Sequence, residues 1–156
     1  MRKRILVAIM VLTTLLGLFG CGSDGMKTVT AVESMTLTLR GMRGGSVYTF
    51  DGEAGQTELR LYRERYSGTE TILELEQSAV YAVQDMIELM NNCGIVRWNG
   101  FHGKHPKNVS DGIMFRFEAA VNGGQTILAN GSANFPKGYH EFVSALNTIL
   151  TESENH

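Results

Sequence analysis

A chain of 156 residues is long enough to bury one sizeable hydrophobic core, and we expect a single domain. It has 14 lysine and arginine residues against 16 aspartate and glutamate residues, and three of the basic ones lie in the first 20 residues, which contain no acidic residue. Without that segment the counts are 11 and 16, a net charge of −5, which argues against a nucleic-acid-binding protein.

The first 20 residues have the layout of a signal peptide. Basic residues at positions 2–4 precede an uncharged, mostly apolar run, Ile5–Phe19, which is shorter than the roughly 20 residues that a membrane-spanning helix needs. Leu18-Phe19-Gly20-Cys21 resembles a bacterial lipobox, in which the cysteine is acylated and becomes the new N-terminus. We therefore predict a lipoprotein signal peptide over 1–20, lipidation of Cys21 and a flexible tether over 21–30. An ordinary signal peptide with a chance cysteine is the alternative.

Four stretches after the tether alternate apolar and polar residues at the period of a β-strand. Glycine-rich turn signals separate them, and the segment Gly41–Ser46 is either a plain hairpin loop or a cradle for an anion. The four predicted strands are Met35–Arg40, Ser46–Phe50, Glu58–Arg63 and Thr71–Leu75.

A helix is predicted next, with Ser78 as its N-cap and Gly94 as its left-handed stop. Its apolar stripe consists of Ala79, Val80, Val83, Met86, Ile87 and Met90. Further on, Met114–Val121 and Gln125–Phe135 alternate again around the turn Asn122-Gly123-Gly124, which predicts a hairpin. From Tyr139 to Leu150 apolar residues recur at helical spacing and predict a second helix.

Strands with one polar face are typical of an antiparallel sheet that is solvated on one side. We therefore predict an α+β fold for residues 31–156, with one antiparallel sheet of about five or six strands and two helices packed on one face. Ten residues are expected on the outer face of that sheet: Thr36, Thr38, Arg40, Arg60, Tyr62, Arg116, Glu118, Asn130, Ser132 and Asn134.

The segment between the first helix and the hairpin carries a family resemblance. Trp98-Asn99-Gly100-Phe101, Asn108, Asp111-Gly112, Pro136 and Tyr139 occur in an order that resembles a domain of uncharacterised lipoproteins of anaerobic Gram-positive bacteria. The resemblance covers Met35 to Leu150. It implies an extracytoplasmic location and an α+β fold, and it carries over no catalytic residue.

Six residues of this segment form a candidate binding loop: Trp98, Phe101, His102, His105, Asn108 and Asp111. In the simplest interpretation Trp98 and Phe101 plug the seam between sheet and helices. His102 and His105 are spaced like metal ligands, with Asp111 near in sequence and His140 expected near in space. A zinc site needs three or four preorganised ligands, so we predict no metal site and no cofactor.

No catalytic constellation is apparent in the sequence. Cys93, which ends an apolar helix, lacks a Cys-His signature, and the G-x-S-x-G motif of serine hydrolases is absent. We predict a lipid-anchored protein on the extracytoplasmic side of the cell membrane that acts as a non-enzymatic binding or interaction module for an envelope protein, peptide or glycan. The alternative is a small envelope hydrolase or metal-binding protein that uses the Trp98–Asp111 loop.

Overall fold

One mixed β-sheet organises the protein in a computed structural model that describes residues 25–42 and 44–153. In the described residues the strands are β1 Val32–Gly41, β2 Gly44–Asp51, β3 Glu58–Ser67, β4 Glu70–Val80, β5 His102–Gly103, β6 Met114–Val121 and β7 Gln125–Ser132. Their order across the sheet is β4-β3-β2-β1-β6-β7-β5. All neighbours are antiparallel except β5 and β7, which are parallel.

The prediction of a purely antiparallel sheet of about five or six strands is therefore wrong, although the α+β class is correct. The missed strand, β5, is only two residues long, so it shows no alternation that sequence reasoning could detect. The position of β5 depends on backbone contacts with β7, which is distant in sequence. Gly100 N donates to Leu128 O at 2.8 Å, and Asn130 N donates to Phe101 O at 3.0 Å.

Two helices, α1 (Val83–Asn92) and α2 (Tyr139–Ser153), pack on the same face of the sheet, and a short 3-10 helix spans Ile95–Trp98. The predicted N-cap at Ser78 is wrong, because β4 continues to Val80 and Ser78 pairs with Arg60 of β3. Ser78 is therefore part of a strand and cannot cap the helix. The helix α1 begins after Ala82, which makes no side-chain capping hydrogen bond. The predicted stop at Gly94 is confirmed by its φ of 68°. No helix within the described residues is long and apolar enough to cross a membrane.

The core lies between the helices and the inner face of the sheet. Leu37 at the centre of β1 stands opposite Tyr48 of β2 and Phe117 of β6, so three strands contribute at one level. The largest fully buried side chains are Trp98, Phe50, Phe117, Phe142, Met35, Leu37, Leu59, Met86, Met90, Ile95, Ile127 and Leu146.

Both ends of β7 are set by residues with positive φ. The predicted turn at Asn122-Gly123-Gly124 is confirmed, and Asn122 has a φ of 54°. The predicted extension of the strand to Phe135 is wrong, because Ala133 has a φ of 48° and the strand ends at Ser132. Asn122 also anchors the incoming chain, since its amide accepts from Thr30 N at 2.7 Å and donates to Thr28 O at 2.9 Å.

Candidate functional site

Trp98, the first residue of the candidate binding loop, belongs to the core. Its side chain is 1% exposed, and its ring lies edge-on to Phe117 and Phe142 with centroid distances of 5.2 and 5.7 Å. The indole Nε1 donates to Lys137 O at 2.9 Å, so its one polar group is satisfied. Phe101 is half-buried and lies 6.2 Å from the ring of Phe115. The two aromatic residues therefore fill the seam between sheet and helices.

The two histidines of the loop lie beside β7 and hold the loop to it. His102 Nδ1 is hydrogen-bonded to Asn130 Oδ1. His105 Nδ1 lies 2.8 Å from Ser132 Oγ, and its Nε2 contacts Val109 O. Because a carbonyl can only accept, Nε2 carries the proton, and Nδ1 accepts from the serine hydroxyl in the neutral ring. Both nitrogens of His105 are thus engaged with the protein.

The remaining candidate ligands do not converge with the histidines. Asn108 and Asp111 are exposed, and neither side chain makes a hydrogen bond within the described residues. His140 packs edge-on against Phe135 and Tyr139 at the start of α2. Among the residues that the structure describes, no group of three or more His, Cys, Asp or Glu side chains is placed to hold a metal ion.

The outer face of the sheet is assembled from five strands by the observed register. Thr38 of β1 stands between Val47 of β2 and Arg116 of β6, and the row continues to Tyr62 of β3 and Asn130 of β7. Nine of the ten residues predicted for this face follow the register, and the exception is Asn134, which lies beyond the end of β7. Arg60 and Arg116 are exposed and pair with Glu58 and Glu118 on their own strands. The face therefore offers hydrogen-bonding groups with balanced charge.

One ion pair on this face is more enclosed than the others. Arg40 donates from Nε and Nη2 to Glu64 Oε1 at 2.9 and 2.8 Å, and the Glu64 side chain is only 4% exposed. The carboxylate lies over Gly45, where a β-carbon would collide with it. The hydrogen bond and the charge of Glu64 raise the pKa of Arg40. Sequence reasoning missed Glu64, because the pair joins β1 to β3 across Gly45 of β2 and so depends on the order of the strands.

An open groove of about 990 Å³ lies at the far end of the sheet, which we define as the end opposite the entry of the chain into β1. Arg63 lines the groove, with Nη1 2.6 Å from Ser46 Oγ and Nε paired to Glu76. The loop Asp111–Ile113 forms one wall, and the β1–β2 turn forms another. We call it the far-end groove. Arg43, in the segment considered as an anion cradle, lies outside the described residues.

Exposed apolar side chains concentrate in the same half of the sheet. Seven of the ten large ones found in the described residues lie there: Met42, Tyr66, Ile72, Leu73, Leu75, Ile113 and Met114. Single exposed apolar residues are ordinary, but a group at one end of a sheet marks a candidate contact surface.

Cys93 has the environment of an unreactive thiol. It is half-buried at the end of α1, and burial together with the nearby charge of Glu141 raises its pKa. A thiol nucleophile needs a lowered pKa or an adjacent base, and neither is found at Cys93 within the described residues.

Comparison with known proteins gives no assignment. No protein-family model matches the sequence, and a search of curated proteins finds no significant match. The resemblance to lipoproteins of anaerobic Gram-positive bacteria therefore stays a prediction.

Proposed function

We propose that the protein is a lipid-anchored, extracytoplasmic lipoprotein that acts as a non-enzymatic binding module, with the outer face of the sheet and its far end as the contact surface. The observation that carries this proposal is the asymmetry of the sheet. Both helices pack on the inner face, while the register gathers exposed polar side chains on the outer face. The loop that carries His102 and His105 contacts this face at Asn130 and Ser132, and neither described helix packs on it.

The geometry of the candidate binding loop supports this role over the hydrolase or metal-binding alternative. Trp98 is committed to the core, and both ring nitrogens of His105 contact other protein groups. Asp111 lines the far-end groove, and in the described residues it does not form a group of three or more metal-ligand side chains with the histidines. A catalytic hydroxyl–histidine pair is normally completed by a third group that orients the base. His105 Nδ1 does contact Ser132 Oγ, but its other ring nitrogen contacts the backbone carbonyl of Val109 and not a carboxylate.

The class of ligand follows from the chemistry of the face. Arginine, threonine, asparagine and tyrosine side chains suit a peptide, a protein surface or a glycan, each of which offers many hydrogen-bonding groups. The acidic balance of the chain without its leader disfavours nucleic acid as a partner.

The anchor is tested by Cys21→Ser, at a position outside the described residues. We expect the variant to be released or to remain unprocessed, because two or more acyl chains are needed for stable attachment and serine cannot be acylated in this way. Fractionation and the mass of the mature N-terminus measure both effects. A variant that is cut at the same place and stays with the membrane would exclude the lipoprotein proposal.

The binding role is tested by an outer-face double variant, Arg116→Ala with Asn130→Ala. These exposed neighbours lie opposite each other on β6 and β7, and we expect at least about tenfold weaker retention of the bound envelope component. Ser144→Ala, an exposed change on α2, is the control and should leave retention unchanged. Equal retention by both variants at equal melting temperature would place the ligand away from this part of the sheet. A wild-type chain that retains no envelope component would contradict the binding role itself.

A further inference from the structure

Strand β4 is a long, open edge of the sheet. It pairs with β3 on one side only, and every residue from Glu70 to Glu76 is exposed. The distal part of the β3–β4 hairpin also projects, because β3 pairs with β2 only as far as Arg63 and continues to Ser67 against β4 alone. An edge strand presents a row of unpaired backbone N–H and C=O groups, which another extended chain can use.

The two faces of β4 differ in chemistry. Toward the outer face it presents Leu73 and Leu75, which are 54% and 52% exposed, and Leu75 stands opposite Tyr62. Toward the helix side it presents Glu70, Ile72 and Glu74, and Ile72 is 49% exposed. The described helices do not shield this segment. The contact of α2 with β4 lies near its other end, where Ser153 Oγ donates to Ser78 O at 3.3 Å.

Resting on the binding role proposed above, we propose that the Glu70–Glu76 edge of β4 binds an extended peptide segment that alternates apolar and basic residues and joins the sheet as an eighth strand. In this mode backbone hydrogen bonds supply affinity, and alternate side chains supply specificity. The apolar side chains of the peptide would lie beside Leu73 and Leu75, and its basic side chains would lie beside Glu70 and Glu74.

The carboxylates on the helix side can accept from such a partner. Glu74 and Glu76 each contact an arginine of β3, Arg65 and Arg63, through Oε2 alone. A carboxylate has two oxygens, so the other oxygen of each can accept from a second cation. Glu70 has no ion-pair partner in the described residues. Opposite charges across neighbouring strands are stabilising, which favours lysine or arginine in the incoming strand.

A second copy of the chain fits this edge less well. If two β4 strands paired antiparallel with Leu73 facing Leu73, Glu70 would face Glu76 of the other copy. If the pairing were centred on Ile72, Glu70 would face Glu74, and if it were centred on Glu74, that residue would face itself. Like charges directly opposite each other destabilise a strand pair. In these three registers the charge pattern opposes self-pairing and favours a basic partner.

The position of the edge also fits a tethered protein. The chain enters the sheet at Val32, whereas the β3–β4 turn lies at the far end. If Cys21 is held at a membrane, the projecting hairpin is on the side of the domain away from the tether.

A direct test measures binding of two fluorescent ten-residue peptides to the full chain in detergent micelles by anisotropy. One peptide alternates valine and lysine, and the other alternates valine and glutamate. We expect the lysine peptide to bind at least about tenfold more tightly.

Two further lysine peptides carry N-methyl groups on either the valine or the lysine amides. Because alternate amides of a strand point to opposite edges, one of these should lose binding and the other should keep it.

Matched variants locate the site. Leu73→Lys should weaken binding of the lysine peptide about tenfold, whereas Leu128→Lys, at a leucine of similar exposure on an inner strand, should not. Glu74→Lys should reverse the preference toward the glutamate peptide. Glu118→Lys is its control, because it also removes a glutamate paired with an arginine but lies away from the edge.

Equal binding of the two peptides, tolerance of both methylation patterns, or equal effects of Leu73→Lys and Leu128→Lys would each overturn the β4 proposal. Light scattering that shows a dimer of the wild-type chain and a monomer of Leu73→Lys would also overturn it, by making a second copy the occupant. If β4 variants have no effect while the Arg116→Ala/Asn130→Ala variant loses its envelope ligand, this inference fails and the broader binding role stands.

Discussion

A chain truncated after Gly138 is expected to lose its cooperative unfolding transition. The truncation removes α2, whose Tyr139, Phe142, Leu146 and Leu150 are each at most 4% exposed. At about 1.5–3 kcal/mol for each large buried side chain, these four contribute roughly 6–12 kcal/mol. A domain of this size has a total stability of about 5–15 kcal/mol, so the loss is comparable to the whole.

Other contacts of α2 also indicate that the domain depends on this helix. Tyr48 Oη donates to Asn147 Oδ1 at 2.8 Å, which links the helix to β2. Burial raises the pKa of Tyr139 to about 12, as expected for a phenol enclosed by the core. Gly138, which precedes the helix, has a φ of 86° and lies against the backbone of Cys93. This close contact fixes the position at which the chain enters α2.

Truncation after Thr151 is the matched control and should cost little stability. It removes Glu152 and Ser153, which are exposed, together with 154–156, which lie outside the described residues. Circular dichroism melting and amide exchange of both truncated chains distinguish the cases. If the chain that ends at Gly138 melts cooperatively near the wild-type temperature, α2 is an appendage and the core does not depend on it.

Trp98→Ala is expected to lower the free energy of unfolding by about 3–5 kcal/mol. The substitution opens a cavity between Phe117 and Phe142, and the lost indole leaves Lys137 O without its donor. Denaturant unfolding followed by far-UV circular dichroism measures the loss, since the protein has no second tryptophan to report on it.

Two controls separate packing from the hydrogen bond of the indole. Trp98→Phe keeps an apolar ring but removes the donor, so it should cost less than the alanine change. Tyr66→Ala removes an aromatic ring that is 74% exposed and should change stability by no more than about 0.5 kcal/mol. A loss below about 1 kcal/mol for Trp98→Ala, together with loss of a bound envelope component, would instead make Trp98 a ligand platform.

Local periodicity accounts for the parts of the fold that were predicted correctly. Alternation in Met35–Arg40 and Met114–Val121 determines which side chains share a face, and the observed register places Thr38 beside Arg116 on that face. The left-handed positions at Gly94 and Asn122 follow from residue types that tolerate positive φ. The stripe of α2 is likewise a local property of its sequence.

Contacts between residues far apart in the sequence account for the elements that were predicted wrongly. Ser78 is a good N-cap residue, yet pairing with Arg60 across the sheet keeps it in a strand. Likewise, β5 exists only because the turn after Trp98 brings two residues against β7.

The candidate sites likewise divide into features set by local periodicity and features set by non-local contacts. The sequence by itself determined nine of the ten outer-face residues, because alternation fixes the side of a strand on which each side chain lies. Only the tertiary structure decided that Trp98 is core, that the histidines are engaged beside β7, and that β4 is an open edge. Strand order and the covering of an edge depend on residues far apart in the chain, and no local periodicity carries that information.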